Sequence, residues 1–237
     1  MLSFTIDDSL IIDASACALA LGFLKVGAGL TWGEVYAALD GSGRAVVGGG
    51  CAGVGVAGFL AGGGIGWLSR RRGVGSDSVL AYEVALPNGT VARTTPGDEL
   101  HAALGAAGAS TLGVVWRVWL RTYDVPDGGR FLYRILHYGA NGRAGGRRAL
   151  IDAWVTMAAA TQEDGRASLA LAISRASGSV HVFYDGSVAE GHAALTAAGA
   201  IEPLAALGNF QVPSLRKLWL GLSVRFGWFG LYHKGHV

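Results

Sequence analysis

The sequence predicts an α+β fold in two parts, and three observations predict it. Up to about residue 125, short apolar strands bounded by turns alternate with helices that carry capping residues. Beyond residue 130 the order becomes strand, helix, strand, strand, helix, strand, which suits an antiparallel sheet with helices on one face. Glycine, 39 residues of 237 against a usual share of roughly 7%, is crowded into one stretch. A shift to Asp, Pro and paired Gly at 123–129 marks the boundary between residues 1–125 and 126–237.

Residues 6–15 read as a strand ending in a turn, and 24–29 as a short strand entering a glycine turn. Thr31 caps a helix over 32–39, with Glu34 three residues later as its capping-box partner. Val35, Tyr36 and Leu39 fall at helical spacing, and Gly41 and Gly43 end the helix. Residues 44–47 form a short strand, and 82–86 with 90–93 a hairpin around Pro87-Asn88-Gly89. Asp98 caps a helix that runs to Leu104, and 112–122 is a strand. In the second part, strands are expected at 131–138, 167–174, 180–184 and 210–212, and helices at 147–161 and 188–198. The tail from Leu218 is aromatic and basic and has no assignment.

Composition narrows the function classes. Apolar residues at 51% and charged residues at 15% exclude a disordered chain. A net charge of +2 is too small for a nucleic-acid binder. The dense basic run Arg70-Arg71-Arg72 has no interleaved aromatics and reads as a solvated turn. Residues 1–13 carry three aspartates and no basic residue, so they contain no signal-peptide n-region. Asn88-Gly89-Thr90 is a glycosylation sequon, meaningful only in a secreted protein. Localisation stays open. Cys17 and Cys51 make neither a disulfide framework nor a CxxC zinc pair. His233 and His236 have no metal-ligand partner at useful spacing, so no metal is expected.

Residues 45–69 are uncharged over 25 positions, ten of them glycine. A membrane helix of that length passes the usual threshold of about 20 residues. Glycine costs roughly 1 kcal/mol per residue relative to alanine in a helix, however, and the apolar bulk is small. Gly48-Gly49-Gly50-Cys51-Ala52-Gly53 also fits the dinucleotide pattern G-x-G-x-x-G. That pattern needs a helix directly behind it and an acidic residue about 20 positions on. Further glycines and the run 70–75 stand there instead, so no stable helix is expected. A purely structural glycine loop would leave buried backbone N–H groups unsatisfied. The remaining reading is a backbone cradle, in which absent side chains let main-chain amides approach a phosphate or a flat ring.

The segment Val46-Val47-Gly48-Gly49-Gly50-Cys51-Ala52-Gly53-Val54-Gly55-Val56-Ala57-Gly58, followed by Gly62-Gly63-Gly64-Ile65-Gly66, resembles the flavin motif of the berberine-bridge-enzyme-like family. Val26-Gly27-Ala28-Gly29-Leu30-Thr31-Trp32-Gly33-Glu34-Val35-Tyr36 resembles the strand and helix before that motif. The stretch 77–88 resembles its hairpin, and 108–115 its Ser-Thr-x-Gly-Val-Val segment. Residues 26–120 carry the resemblance well, and the first 25 residues and the stretch to Val212 loosely. One departure is Gly105-Ala106-Ala107-Gly108-Ala109, where the family is richer in glycine.

The resemblance implies a PCMH-type FAD-binding domain followed by part of an antiparallel-sheet substrate domain. It implies FAD as cofactor, touched through the backbone amides of Gly50, Gly55, Val56, Gly58, Gly62, Gly63, Gly64 and Val115. The cysteine matching Cys51 can bond through sulfur to carbon 6 of the flavin ring, the alternative being a buried inert thiol. The implied chemistry is hydride transfer from a small alcohol, sugar or amine to flavin N5, with reoxidation by oxygen. No nucleic-acid or membrane partner is implied, and full-length relatives are often secreted. The family's pyrophosphate loop, often with a flavin-linked histidine, is expected ahead of Met1, and its catalytic tyrosine or acid beyond Val237. A truncated, non-enzymatic remnant or an incompletely read gene is the competing expectation. No catalytic base is assigned. Cys17 is read as core, His101 as exposed, His137, His181 and His192 as strand-surface or core residues, and Trp116 and Trp119 as strand packing residues.

Overall fold

The computed structural model describes residues 12–106, 111–125, 131–139, 146–173, 177–197 and 205–212. They divide into two compact units, one running to Asp124 and the other Val125–Pro213.

The first unit is built on an antiparallel sheet of five strands. These are β1 (Ile12–Asp13), β2 (Phe23–Gly27), β4 (Val79–Ala85), β5 (Val91–Thr94) and β6 (Val114–Arg121), in the order β1-β2-β6-β4-β5. Pairing of Leu24 with Leu120, and of Val118 with both Val26 and Tyr82, puts these side chains on one face. All of them are buried. The residues between them face the other way. There Glu83 Oε2 accepts hydrogen bonds from Trp116 Nε1 at 3.0 Å and Arg117 Nη1 at 2.8 Å. The Arg93 guanidinium lies 4.3 Å from the centre of the Trp119 ring. A period of two produces this alternation for Glu83, Arg117 and Trp119, while Trp116 sits at a register shift between Glu83 and Val84, where β4 pairs with Arg117 and then Val115.

A short helix α1 (Ala16–Ala20), not foreseen in the sequence, joins β1 to β2. Helix α2 (Trp32–Leu39) follows the glycine turn after β2, with Trp32, Val35, Tyr36 and Leu39 buried. Glu34 Oε2 accepts from the Thr31 amide at 2.8 Å and the Thr31 hydroxyl at 2.7 Å. Strand β3 (Arg44–Ala45) is shorter than expected and pairs with β7 (Tyr123–Asp124), closed by an Arg44–Asp124 ion pair of 2.9 Å. Val46 and Val47 leave the strand because they run buried into the glycine loop.

The basic run is helical, not a turn: α4 (Ser69–Arg72) places the Arg72 guanidinium 4.6 Å from the centre of the Tyr123 ring. Helix α5 (Glu99–Gly105) is amphipathic and corrects the reading of His101. Its buried face carries Leu104, and the half-buried His101 ring lies against Tyr82 at 4.9 Å.

In the second unit, β8 (Phe131–Gly139), β9 (Ala167–Ile173), β10 (Ser177–Tyr184) and β11 (Ala205–Val212) form a wholly antiparallel sheet in the order β11-β8-β10-β9. Helices α6 (Gly146–Ala160) and α7 (Val188–Ala197) both pack on the face of Leu132, Leu136, Val180, Val182 and Tyr184, through Leu150, Met157 and Leu195. On the other face His181 is buried and hydrogen-bonded at both ring nitrogens, Nδ1 to the Tyr133 hydroxyl at 2.5 Å and Nε2 to the Ser179 hydroxyl at 2.9 Å. His192 lies on α7, half-exposed. The side chains of Cys17 and His137, residues 107–109, and the tail with His233 and His236 lie outside the described residues.

Candidate functional site

The glycine stretch is neither a membrane helix nor a Rossmann turn. Residues 46–55 form a loop, and the six-residue helix α3 (Val56–Ala61) follows. This helix corrects the expectation of none. Val56 and Leu60 bury their side chains and hold one face, while Gly62 stops it after one and a half turns. Among the described residues no helix is long and apolar enough to cross a membrane.

Helix α2 positions the loop. Trp32 N–H donates to Val54 O at 3.0 Å, Gly33 N–H to Ala52 O at 3.0 Å, and Val56 N–H to Leu30 O at 2.8 Å. The loop therefore runs back along the helix start, and three aromatics form its floor. Trp32 meets Phe59 edge-on at 5.0 Å, and Tyr36 donates its hydroxyl to Gly49 O at 2.8 Å. Burial first, and the nearby Cys51 second, push the Tyr36 phenol far above its ordinary value, so it stays a neutral donor. Tyr36→Phe should cost about 1–3 kcal/mol, because Gly49 O would lose its buried donor. Urea unfolding of the two proteins reads that difference.

The glycines then sort by what a Cβ would meet. At Gly48 it would lie 2.5 Å from the Tyr36 hydroxyl and 2.6 Å from Trp32 Cζ3, and at Gly49 2.9 Å from Trp32 Cδ1. At Gly64 it would strike the Phe59 ring, and at Gly66 the carbonyl oxygen of Gly48. These glycines are required by close packing of the protein on itself. Gly53, Gly55 and Gly58 are exposed, and a Cβ there would meet nothing within 4 Å among the described residues. Gly50 would meet only Trp67 Nε1, at 3.7 Å. Among the described residues no neighbour demands glycine at Gly53, Gly55 or Gly58.

The other expected positions are placed as follows. Cys51 is half-buried and unbridged, between Gly50 and Ala52 on the loop. The amides of Val56, Gly62 and Gly63 are engaged by Leu30 O, Gly58 O and Leu60 O. These three amides bond within the chain. Gly62 and Gly63 can still admit a ligand by lacking a side chain. The turn 62–66 is pinned from behind, with Gly75 N–H donating to Gly64 O at 2.7 Å and Ser76 N–H to Gly63 O at 2.8 Å. Val115 pairs with Val84 on β6, next to Trp116, whose carbonyl accepts from Ala28 N–H at 2.9 Å. Sequence reasoning missed Gly53, the plainest open glycine, and the aromatic floor. Trp32 and Tyr36, four apart on α2, were the available signal for that floor.

Comparison with known proteins places this loop inside a stretch that resembles FAD-binding domains. Residues 8–95 match the family described as FAD binding domain. The FAD-dependent monooxygenase FUP4 of Fusarium proliferatum is 42% identical over 116 residues, 48% of this chain and 21% of that protein. The FAD-linked oxidoreductase easE of Arthroderma otae is 46% identical over 108 residues, 44% of this chain and 18% of the relative. Among solved structures, 6-hydroxy-D-nicotine oxidase of Arthrobacter nicotinovorans superposes with a TM-score of 0.74 at 20% identity, over 92% of this chain and 47% of that one. The wild-type BBE-like 1 protein of Physcomitrella patens gives 0.68 at 24% identity, over 84% and 42%. The aligned region is about a fifth of the length of the curated relatives. Over residues 8–95 the chain therefore resembles FAD binding domains, and its fold is that of the berberine-bridge-enzyme-like and related flavoprotein structures.

Proposed function

We propose that this chain forms one wall of the flavin site of an oxidase that oxidises a small alcohol, sugar or amine. The observation that supports the reading is the set of exposed glycines whose Cβ would meet no neighbour among the described residues, beside a set packed against protein. When bound, FAD would accept the hydride and return the electrons to oxygen. The chain's own task is to seat the ring and keep it in place. Gly50, Gly53, Gly55 and Gly58 leave room for it, and Gly62 and Gly63 leave room beyond α3. Gly64 shapes the turn by packing on Phe59, and Val115 lies on the adjoining end of the sheet.

Cys51 is the residue proposed to bond to the flavin. Its neighbours Gly50 and Gly53 would let the loop come close, and the half-buried Cys51 is free of any disulfide. A sulfur bond to carbon 6 would abolish loss of cofactor by dissociation. Acid precipitation separates bonded flavin, which stays with the pellet, from bound flavin, which is released. The parent is expected to retain flavin and Cys51→Ala to release it, in a background without any flavin-linked histidine. Release from the parent, or retention by Cys51→Ala, would rule the bond out.

A further inference from the structure

We propose that Asn88 is an N-glycan acceptor. Of the three asparagines in the chain, Asn88 alone is followed by the x-Thr pattern, as Asn88-Gly89-Thr90. The structure puts this tripeptide at the tip of the β4–β5 hairpin. Asn88 and Thr90 are exposed, and Gly89 has a φ of 86° that closes the turn. The turn is tied by Leu86 N–H to Thr90 O at 2.8 Å and Gly89 N–H to Leu86 O at 2.9 Å.

The side-chain geometry selects the reacting atom. Thr90 N–H reaches the Asn88 amide at 3.0 Å, and a backbone N–H can only donate. The atom facing it must therefore be Oδ1. The Thr90 hydroxyl donates to the same oxygen at 2.7 Å. Both bonds within the turn go to the amide oxygen, and Asn88 itself is exposed. A folded chain can carry a large sugar on Asn88 Nδ2 without disturbing any packed group. The sugar would also cover β5, an edge strand that exposes Val91 and is open to pairing with another chain.

The transfer needs a polyprenyl-diphosphate-linked oligosaccharide as co-reactant. Nδ2 bonds to the anomeric carbon, the bond from that carbon to the diphosphate oxygen breaks, and the diphosphate leaves with the electron pair. Nδ2 gives up one proton. The inference is independent of the flavin reading.

The test places the full chain behind a cleavable secretion leader in a eukaryotic secretory host. Intact mass is measured before and after peptide-N-glycosidase. The expected result is one enzyme-removable glycan per chain, lost in both Asn88→Gln and Thr90→Ala and partly kept in Thr90→Ser. Should a variant fail to leave the cell, translation into microsomes reads the same mass shift without requiring export. Protease-protected, translocated chain with Asn88 unmodified would overturn the proposal, as would a glycan that persists in Asn88→Gln.

Discussion

Gly66→Ala should disrupt the glycine loop and lower the melting temperature of the first unit by on the order of 10 °C. The added methyl group would run into the carbonyl oxygen of Gly48. Both participants are backbone, so no flexible side chain can swing aside. Gly66 is tied to Ser69 twice, its amide donating to Ser69 Oγ at 2.9 Å and its carbonyl accepting from Ser69 N–H at 3.1 Å. Gly48 is held from below by Trp32 and Tyr36. One side must break, at about 3 kcal/mol or more, the upper end of overpacking costs. Thermal melts followed by circular dichroism read the effect, with Gly53→Ala as the control, because the control methyl group meets no atom of the described residues within 4 Å. A Gly66→Ala melt within about 2 °C of the parent would show that the loop is not packed this way.

Gly58→Ala should do two opposite things. Without flavin it should stabilise the chain by about 0.5–1 kcal/mol, since Gly58 lies inside α3 and alanine is the better helix former. With flavin it should weaken binding by about tenfold or more, because the methyl group would stand where the proposed ring approaches. Few substitutions raise a melting temperature and lower cofactor affinity together, so the pair of signs is diagnostic. Melts of the flavin-free proteins and titrations of flavin fluorescence give the two readings. Unchanged flavin affinity in Gly58→Ala would remove α3 from the cradle.

Much of this architecture was legible because it is local. Thr31 and Glu34 announced α2, Pro87-Asn88-Gly89 announced the hairpin, and the order of strands and helices beyond residue 130 announced the second sheet. Helix α3 was not legible. Its sequence Val-Ala-Gly-Phe-Leu-Ala has a poor propensity at its centre, and it forms because Val56 and Leu60 are buried by residues distant in sequence. The bonds spent by Val56, Gly62 and Gly63 were equally hidden, since their partners depend on how the chain folds back. His101 looked exposed because one turn of helix does not reveal which side meets Tyr82. Most of all, the glycines looked alike in the sequence, and only their neighbours separate Gly48 from Gly58.

That separation bears on descent as well as on binding. Gly48, Gly49, Gly64 and Gly66 are constrained by this chain's own backbone and rings, whatever else is present. On the proposed function, Gly53, Gly55 and Gly58 would be constrained only while the cofactor lies beside them, since a Cβ there meets no described atom. A lineage that abandoned its cofactor but kept its fold would accumulate alanine and serine at the second group and none at the first. The ratio of change at the two groups, read across descendants of this gene, is a clock that starts when the flavin is lost.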